Sequence, residues 1–200
     1  IIGQNGAGVR LSGGGTVDNL SGGSISGTRG AIVSSGAFAD TVTLRDGSTT
    51  IGGISLGAGA DTLTLFAGAT TSGVFDGGDD VDAFVVDGAG SSSFDIGNLV
   101  NFESRAMNGT GTFTLTGVDT STAAWDVNSG TLALSGGSAV NDVAVINLAS
   151  GATLALLNSE RIGGLNGAGA VTLGTNTLAL AGNSTFSGVA AGTGGLTVEG

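Results

Sequence analysis

The chain has 200 residues and a net charge of -11, with five Arg and no Lys, which leaves no basic patch to hold a nucleic-acid backbone or an anionic headgroup. Cys is absent, removing disulfides, thiolate nucleophiles and zinc-thiolate sites, and His is absent too. Glycine supplies 41 residues without a three-residue period, which excludes collagen and makes the glycines turn markers.

The opening IIGQNGAGVR carries no basic-then-apolar export signal, and no apolar run approaches the roughly 20 residues that span a bilayer. The chain begins without Met and is read as a piece of a longer protein, a single segment over residues 1–200 with no membrane barrel of its own. Barrel strands would bring aromatic girdles, whereas aromatics are 4% here and Tyr is absent.

Three pentads follow, DTVTL at Asp40, DTLTL at Asp61 and DAFVV at Asp82, 21 residues apart. Period-two alternation puts Val42 and Leu44, Leu63 and Leu65, and Phe84 and Val86 on an inner face, with Thr41, Thr43, Thr62 and Thr64 outside. A second apolar column is predicted through Val33, Ile54, Phe75 and Ile96. Glycines such as Gly52, Gly53, Gly77 and Gly78 lie between the strands and supply corners.

Farther along, Phe113/Leu115, Leu132/Leu134, Leu154/Leu156 and Leu178/Leu180 continue the plan at spacings of 19, 22 and 24, the drift being assigned to insertions at corners. Short strands, glycine corners and a period near 20 residues predict an all-β fold, a right-handed parallel β-helix (β-solenoid) of about nine coils of roughly 21 residues. At the usual strand spacing such a stack is on the order of 45 Å long.

The acidic group Asp76, Asp79, Asp80, Asp82 and Asp87 is the one dense set of chemically capable side chains. GGDDVDAF (77 to 84) and LGAGADTL (56 to 63) approximate the calcium nonapeptide, with Asp80 and Leu56 in place of glycines. A calcium roll draws its ligands from consecutive intact copies, so a solvated acidic corner is expected, with weak calcium binding and catalysis as the alternatives. Glycoside hydrolysis by paired carboxylates would also need aromatic or basic groups to hold sugar, and the one Trp, Trp125, lies two units away and reads as a core residue. Arg29, Arg45, Arg105 and Arg161 are expected on outer faces or beside carboxylates. Asn19, Asn98, Asn141, Asn158, Asn166 and Asn183 are expected at corners or strand ends, or laddering between coils. No catalytic, cofactor-binding or metal-binding residue is assigned, and no cofactor.

LGAGADTLTL (56 to 65), FDGGDDVDAFVV (75 to 86), NLVNFES (98 to 104) and NGTGTFTLTG (108 to 117), in that order, resemble autotransporter passenger domains. ALLNSERIGGLNGAGAVTLGTNTLALAG (155 to 182) and STFSGVAAGTGGLTVEG (184 to 200) are similar to the passenger-associated repeat, departing from its commonest form at Val198 and Glu199. The resemblance covers roughly residues 35 to 200. It implies a β-helical stalk displayed outside a Gram-negative cell, anchored through a C-terminal outer-membrane barrel elsewhere in the parent chain. The expected function is adhesion or cell–cell contact, with host or neighbouring cells, glycans or further copies as partners and neither nucleic acid nor direct membrane insertion. A scaffold for an enzyme domain outside this segment and a self-assembling filament or sheath subunit are the alternatives.

Overall fold

The computed structural model describes residues 1–3 and 6–199. They form an all-β, parallel β-solenoid of about nine turns, with equivalent residues about 21 apart. Among the described residues the helical content is one 3-10 turn, Ile96–Asn98. The chain divides into two compact units, one of Ile1–Gly90 with Asn98–Ser104 and the other of Ser91–Gly97 with Arg105–Gly200.

The first unit has three parallel sheets. One stacks Ile2–Gly3, Ser24–Gly27, Thr49–Ile51 and Thr70–Ser72; a second stacks Ala7–Leu11, Gly30–Ser34, Ile54–Ser55, Phe75–Asp76 and Leu99–Val100; the third contains Gly15–Asn19, Asp40–Leu44, Thr62–Phe66 and Ala83–Asp87. Four successive coils thus each contribute one short strand to each sheet, with glycine-rich corners between. In the third sheet Val17, Val42, Leu63 and Phe84 are in register, as are Asn19, Leu44 and Leu65, and Leu65 with Val86. Val42, Leu44, Leu63 and Phe84 are fully buried while the alternating threonines are not, as the pentads predict. Burial on this scale stabilises by about 1.5–3 kcal/mol per large apolar side chain.

The second apolar column is shifted from the predicted one. Ile54 pairs with Ile32 rather than Val33, and Phe75 pairs with Leu99 rather than Ile96. The strand Ser91–Asp95 and the turn that holds Ile96 intervene between Phe75 and its stacking partner, lengthening that coil by three residues over the predicted period. Ile96 is buried, within the other unit.

In the second unit one sheet stacks Ser91–Asp95, Thr112–Thr116, Thr131–Leu134, Thr153–Leu156, Ala170–Gly174 and Val189–Gly192. Phe113, Leu132 and Leu154 share a column as predicted, but its next member is Val171, not Leu178. Leu178 and Leu180 stand in a separate sheet of Glu160–Ile162, Thr177–Leu180 and Gly195–Val198, opposite Glu160 and Ile162. A leucine–small–leucine pattern suits every face of such a coil, so spacing alone misassigned this pair. Other parallel strands of this unit bring Arg105, Trp125, Ile146 and Leu165 into one column and Met107, Val127 and Leu148 into the next.

Candidate functional site

Asp76, Asp79, Asp80, Asp82 and Asp87 do come close in sequence at one turn of the first unit, but the structure separates their roles. Asp82 stands one residue before its strand, on the same parity as Phe84 and Val86, so it points inward and is fully buried. Asp76 accepts a 2.7 Å hydrogen bond from the Asn101 amide, and Asp87 Oδ1 one of 2.7 Å from the Gly88 N–H. Asp80 has a positive φ of 82° and accepts from the Gly59 N–H of the previous coil at 3.2 Å. Asp79 is exposed, its backbone N–H donating to Gly57. The expected solvated corner is therefore solvated only in part. Among the described residues no three His, Cys, Asp or Glu side chains are placed to hold one metal ion.

The glycines of GGDDVDAF also have a local cause. A Cβ at Gly77 would meet Asp82 Oδ2 at 2.7 Å and collide with the Asn101 carbonyl. Gly78, at φ 108°, lies against the Gly57 carbonyl of the coil below. The calcium-like pattern arises here from close approach of backbones and from room for a buried carboxyl.

Asp82 belongs to a column that the sequence pattern alone did not reveal. Asp61 Oδ1 accepts from the Asp40 N–H at 2.6 Å, Asp82 Oδ1 from the Asp61 N–H at 2.8 Å, and Glu103 Oε2 from the Asp82 N–H at 2.9 Å. Each carboxyl thus reaches one coil back and satisfies an N–H at, or one residue before, the start of the preceding strand. Asp40, Asp61 and Asp82 are each no more than 1% exposed. Burial, with Asp82, Asp40 and Asp80 as like-charged neighbours, pushes the Asp61 carboxyl up to about 6 despite the opposing Asp40 N–H. Burial raises Asp82 as well, reinforced by Glu103, Asp80 and Asp76 and opposed by the Asp61 N–H. The signal was present: an Asp two residues before an inward Val or Leu shares its face, and it recurs with the 21-residue period.

In the second unit Glu160 repeats the device. Its Oε1 accepts from the buried Val140 N–H at 3.0 Å, 20 residues back, and burial pushes the carboxyl up to about 7. Asp119 is handled differently: Oδ2 meets Arg105 Nη1 at 2.8 Å and Oδ1 accepts from the Ser121 N–H at 3.0 Å. Of the two places expected for the arginines, Arg105 takes the one beside a carboxylate, but inside: it is 1% exposed and its guanidinium carbon lies 5.9 Å from the Trp125 ring centroid. Trp125 is fully buried, as expected of a core residue. Arg29 is exposed, and Arg45 and Arg161 form half-exposed pairs, Arg45 with Asp18 and Arg161 with Asp142 and Glu199.

The asparagines divide between the two expected roles. Asn166 ladders within a strand, donating to Asn147 Oδ1 at 3.1 Å, while Asn147 donates to Asp126 at 2.7 Å and Thr185 Oγ1 donates to Asn166 at 2.9 Å. Asn158 accepts from the Gly136 N–H and Asn141 from the Val143 N–H, both at turns. Asn19 ends its strand, buried, and donates to Thr49 and Thr50. Asn98 lies in the 3-10 turn, and Asn183 is exposed beside the strand Thr185–Phe186.

A 300 Å³ cleft in the same unit is lined by Val118, Asp119, Ser138, Val140, Asn141 and Asp142. Its two carboxylates are already paired with Arg105 and Arg161. No protein-family model, curated protein sequence or solved structure matches this chain.

Proposed function

We propose that the chain is a structural stalk segment of a secreted, cell-surface passenger of the autotransporter type, projecting from the outer membrane of a Gram-negative bacterium and mediating adhesion or cell–cell contact. The observation that carries this reading is the use made of the polar side chains. At the acidic turn Asp76, Asp80 and Asp82 bond to an adjacent coil, and Asp126, Asn147, Asn166 and Thr185 link four successive strands. Side chains so engaged give a repeating polymer rigidity rather than a reaction centre. The ordered motifs that resemble passenger domains give the reading its cellular setting.

The physics of the fold suits that setting. Each coil contacts chiefly its neighbours, so a chain emerging end first can fold coil upon coil, and the stepwise gain opposes back-sliding. The net charge of -11 keeps such a surface soluble and disfavours anionic headgroups.

The test is immunogold labelling of intact producing cells with antibody to this chain, paired with binding of the purified chain to cells and glycan arrays. Label at a distance outside the envelope, removed by external protease, together with cell or glycan binding, is the expected result. Label confined to the cell interior overturns the surface assignment, and surface label without any binding overturns the adhesive one.

A further inference from the structure

Asp40, Asp61 and Asp82 form a buried column in the first unit whose protonation state plays no part in the stalk reading. Two of its members, Asp61 and Asp82, accept a single backbone N–H through Oδ1, and among the described residues neither Oδ2 has a hydrogen-bond partner. An ionised carboxylate with one donor, fully out of water and beside others of its kind, lacks the partners that burial of a charge demands.

Asp119 in the second unit is the internal contrast. It is also buried, yet one oxygen takes the Arg105 guanidinium and the other the Ser121 N–H. The charges that act on Asp61 are Asp82, Asp40 and Asp80, and those on Asp82 are Glu103, Asp80 and Asp76, with no arginine among them. A neutral carboxyl solves both problems: its carbonyl oxygen still accepts the N–H of the preceding coil, and the repulsion along the column disappears.

We propose that Asp61 and Asp82 are a proton-operated clamp, which locks successive coils of the first unit together when both carboxyls are protonated and loosens them when both ionise. The sign follows from the folded carboxyls binding protons more tightly than the unfolded ones. The clamp is at full strength below about pH 4, where both states are protonated, and weakens as pH rises through the folded value, about 6 for Asp61. Mildly acidic surroundings thus hold the stack closed, and neutral to alkaline ones make it easier to open. Protons, not a cation, balance the column, consistent with the lack of a three-ligand cluster among the described residues.

The experiment uses the whole chain. Carboxyl-carbon NMR of protein labelled at aspartate reads the titration of Asp61 and Asp82 directly between pH 3.5 and 8.5, with each resonance assigned from its Asn variant or by sequential correlation. Hydrogen exchange of the Asp40 and Asp61 amides reads the opening of the coils. Thermal melts compare wild type with Asp61→Asn, Asp82→Asn and the double variant, in which asparagine keeps the acceptor and removes the charge. Asp79→Asn, at an exposed position of the same turn, controls for the general relief of a net negative surface.

The expected result is midpoints above pH 5 for Asp61 and Asp82, amide protection that falls at least tenfold from pH 5 to 8 after correction for intrinsic exchange, and a double variant without that fall. Midpoints near 4 for both carboxyls overturn the clamp even if the Asn variants fail to fold. So does a double variant whose pH dependence matches that of Asp79→Asn. Restoration of wild-type protection at pH 8 by millimolar calcium would mean that a cation, not a pair of protons, balances the column, and overturns the clamp equally.

Discussion

Arg105 and Asp119 meet at 2.8 Å with both side chains almost wholly withdrawn from solvent. Arg105 Nε and Nη2 have no hydrogen-bond partner among the described residues, so Asp119 is the acceptor that holds the guanidinium charge in place. Removing the carboxylate by Asp119→Ala strands a buried cation and should cost about 3–5 kcal/mol, whereas Arg105→Met combined with Asp119→Leu should cost much less. Urea denaturation of Arg105→Met, Asp119→Leu and the double variant gives the coupling. Additive losses would show that the pair is not the unit of stability.

The inner column makes a sharper demand at its middle. Leu63 is fully buried between Val42 and Phe84, and Leu63→Asp should cost more than about 4 kcal/mol or abolish folding of the first unit. Thr62→Asp, one residue away on the outer face, should cost less than about 1 kcal/mol. Melting curves of the two variants rank them, and the reverse order would invert the assignment of faces.

Gly78 offers a test of how closely coils approach. With φ at 108° and the Gly57 carbonyl where an added Cβ would stand, Gly78→Ala combines backbone strain with a collision and should lower stability by about 2 kcal/mol or more. Gly13→Ala, where a Cβ meets nothing within 4 Å, should be nearly neutral or slightly stabilising. Denaturation midpoints measured side by side settle the comparison.

Glu160 links the second unit to pH. Its carboxyl is pushed up to about 7 from 4.5, chiefly by burial, so the folded state holds a proton that the unfolded state releases between those values. Stability should therefore fall as pH rises from about 4.5 to about 7, by about 3 kcal/mol in all. Glu160→Gln keeps the acceptor for Val140 and should lack that component of the fall. Equal slopes in wild type and variant, followed by urea denaturation at half-unit steps, would remove Glu160 from the account.

Chelation should leave the fold intact. The carboxylates at the acidic turn are directed to Asn101, Gly59, Asp61 and Gly88 rather than to a common point. Excess chelator should change the melting temperature by less than about 2 °C at fixed ionic strength, a shift of under about 1 kcal/mol. A loss of β signal that calcium restores would identify a calcium-dependent roll.

Much of the inner face of the first unit was legible because two periods coincide there. Alternation of period two decides which residues of DTVTL and DTLTL point inward, and the 21-residue recurrence decides which inward residues stack. The same two rules place Asp40, Asp61 and Asp82 inside, against the ordinary expectation that carboxylates face water. That expectation hid the column. Leu99 and Val171 were missed as stacking partners for a geometric reason: corners absorb insertions, so separation along the chain stops reporting which strand lies next in the stack. That Arg105 pairs with a carboxylate inside the stack is not legible, since Asp119 lies 14 residues on, where no periodic rule brings the two together.

The coil-to-coil register of the first unit bears on how such a chain changes over generations. Because Asp61 stands where Asp40 stands one coil earlier, an in-frame recombination that deletes residues 40–60 would join Ala39 to a strand of nearly the same sequence. The Asp61 N–H would keep its Asp82 acceptor, and Val17 would face Leu63 in place of Val42. Length in this part of the molecule is therefore a quantity that single genetic events can raise or lower by one whole coil without opening the core, so selection can act on reach independently of fold.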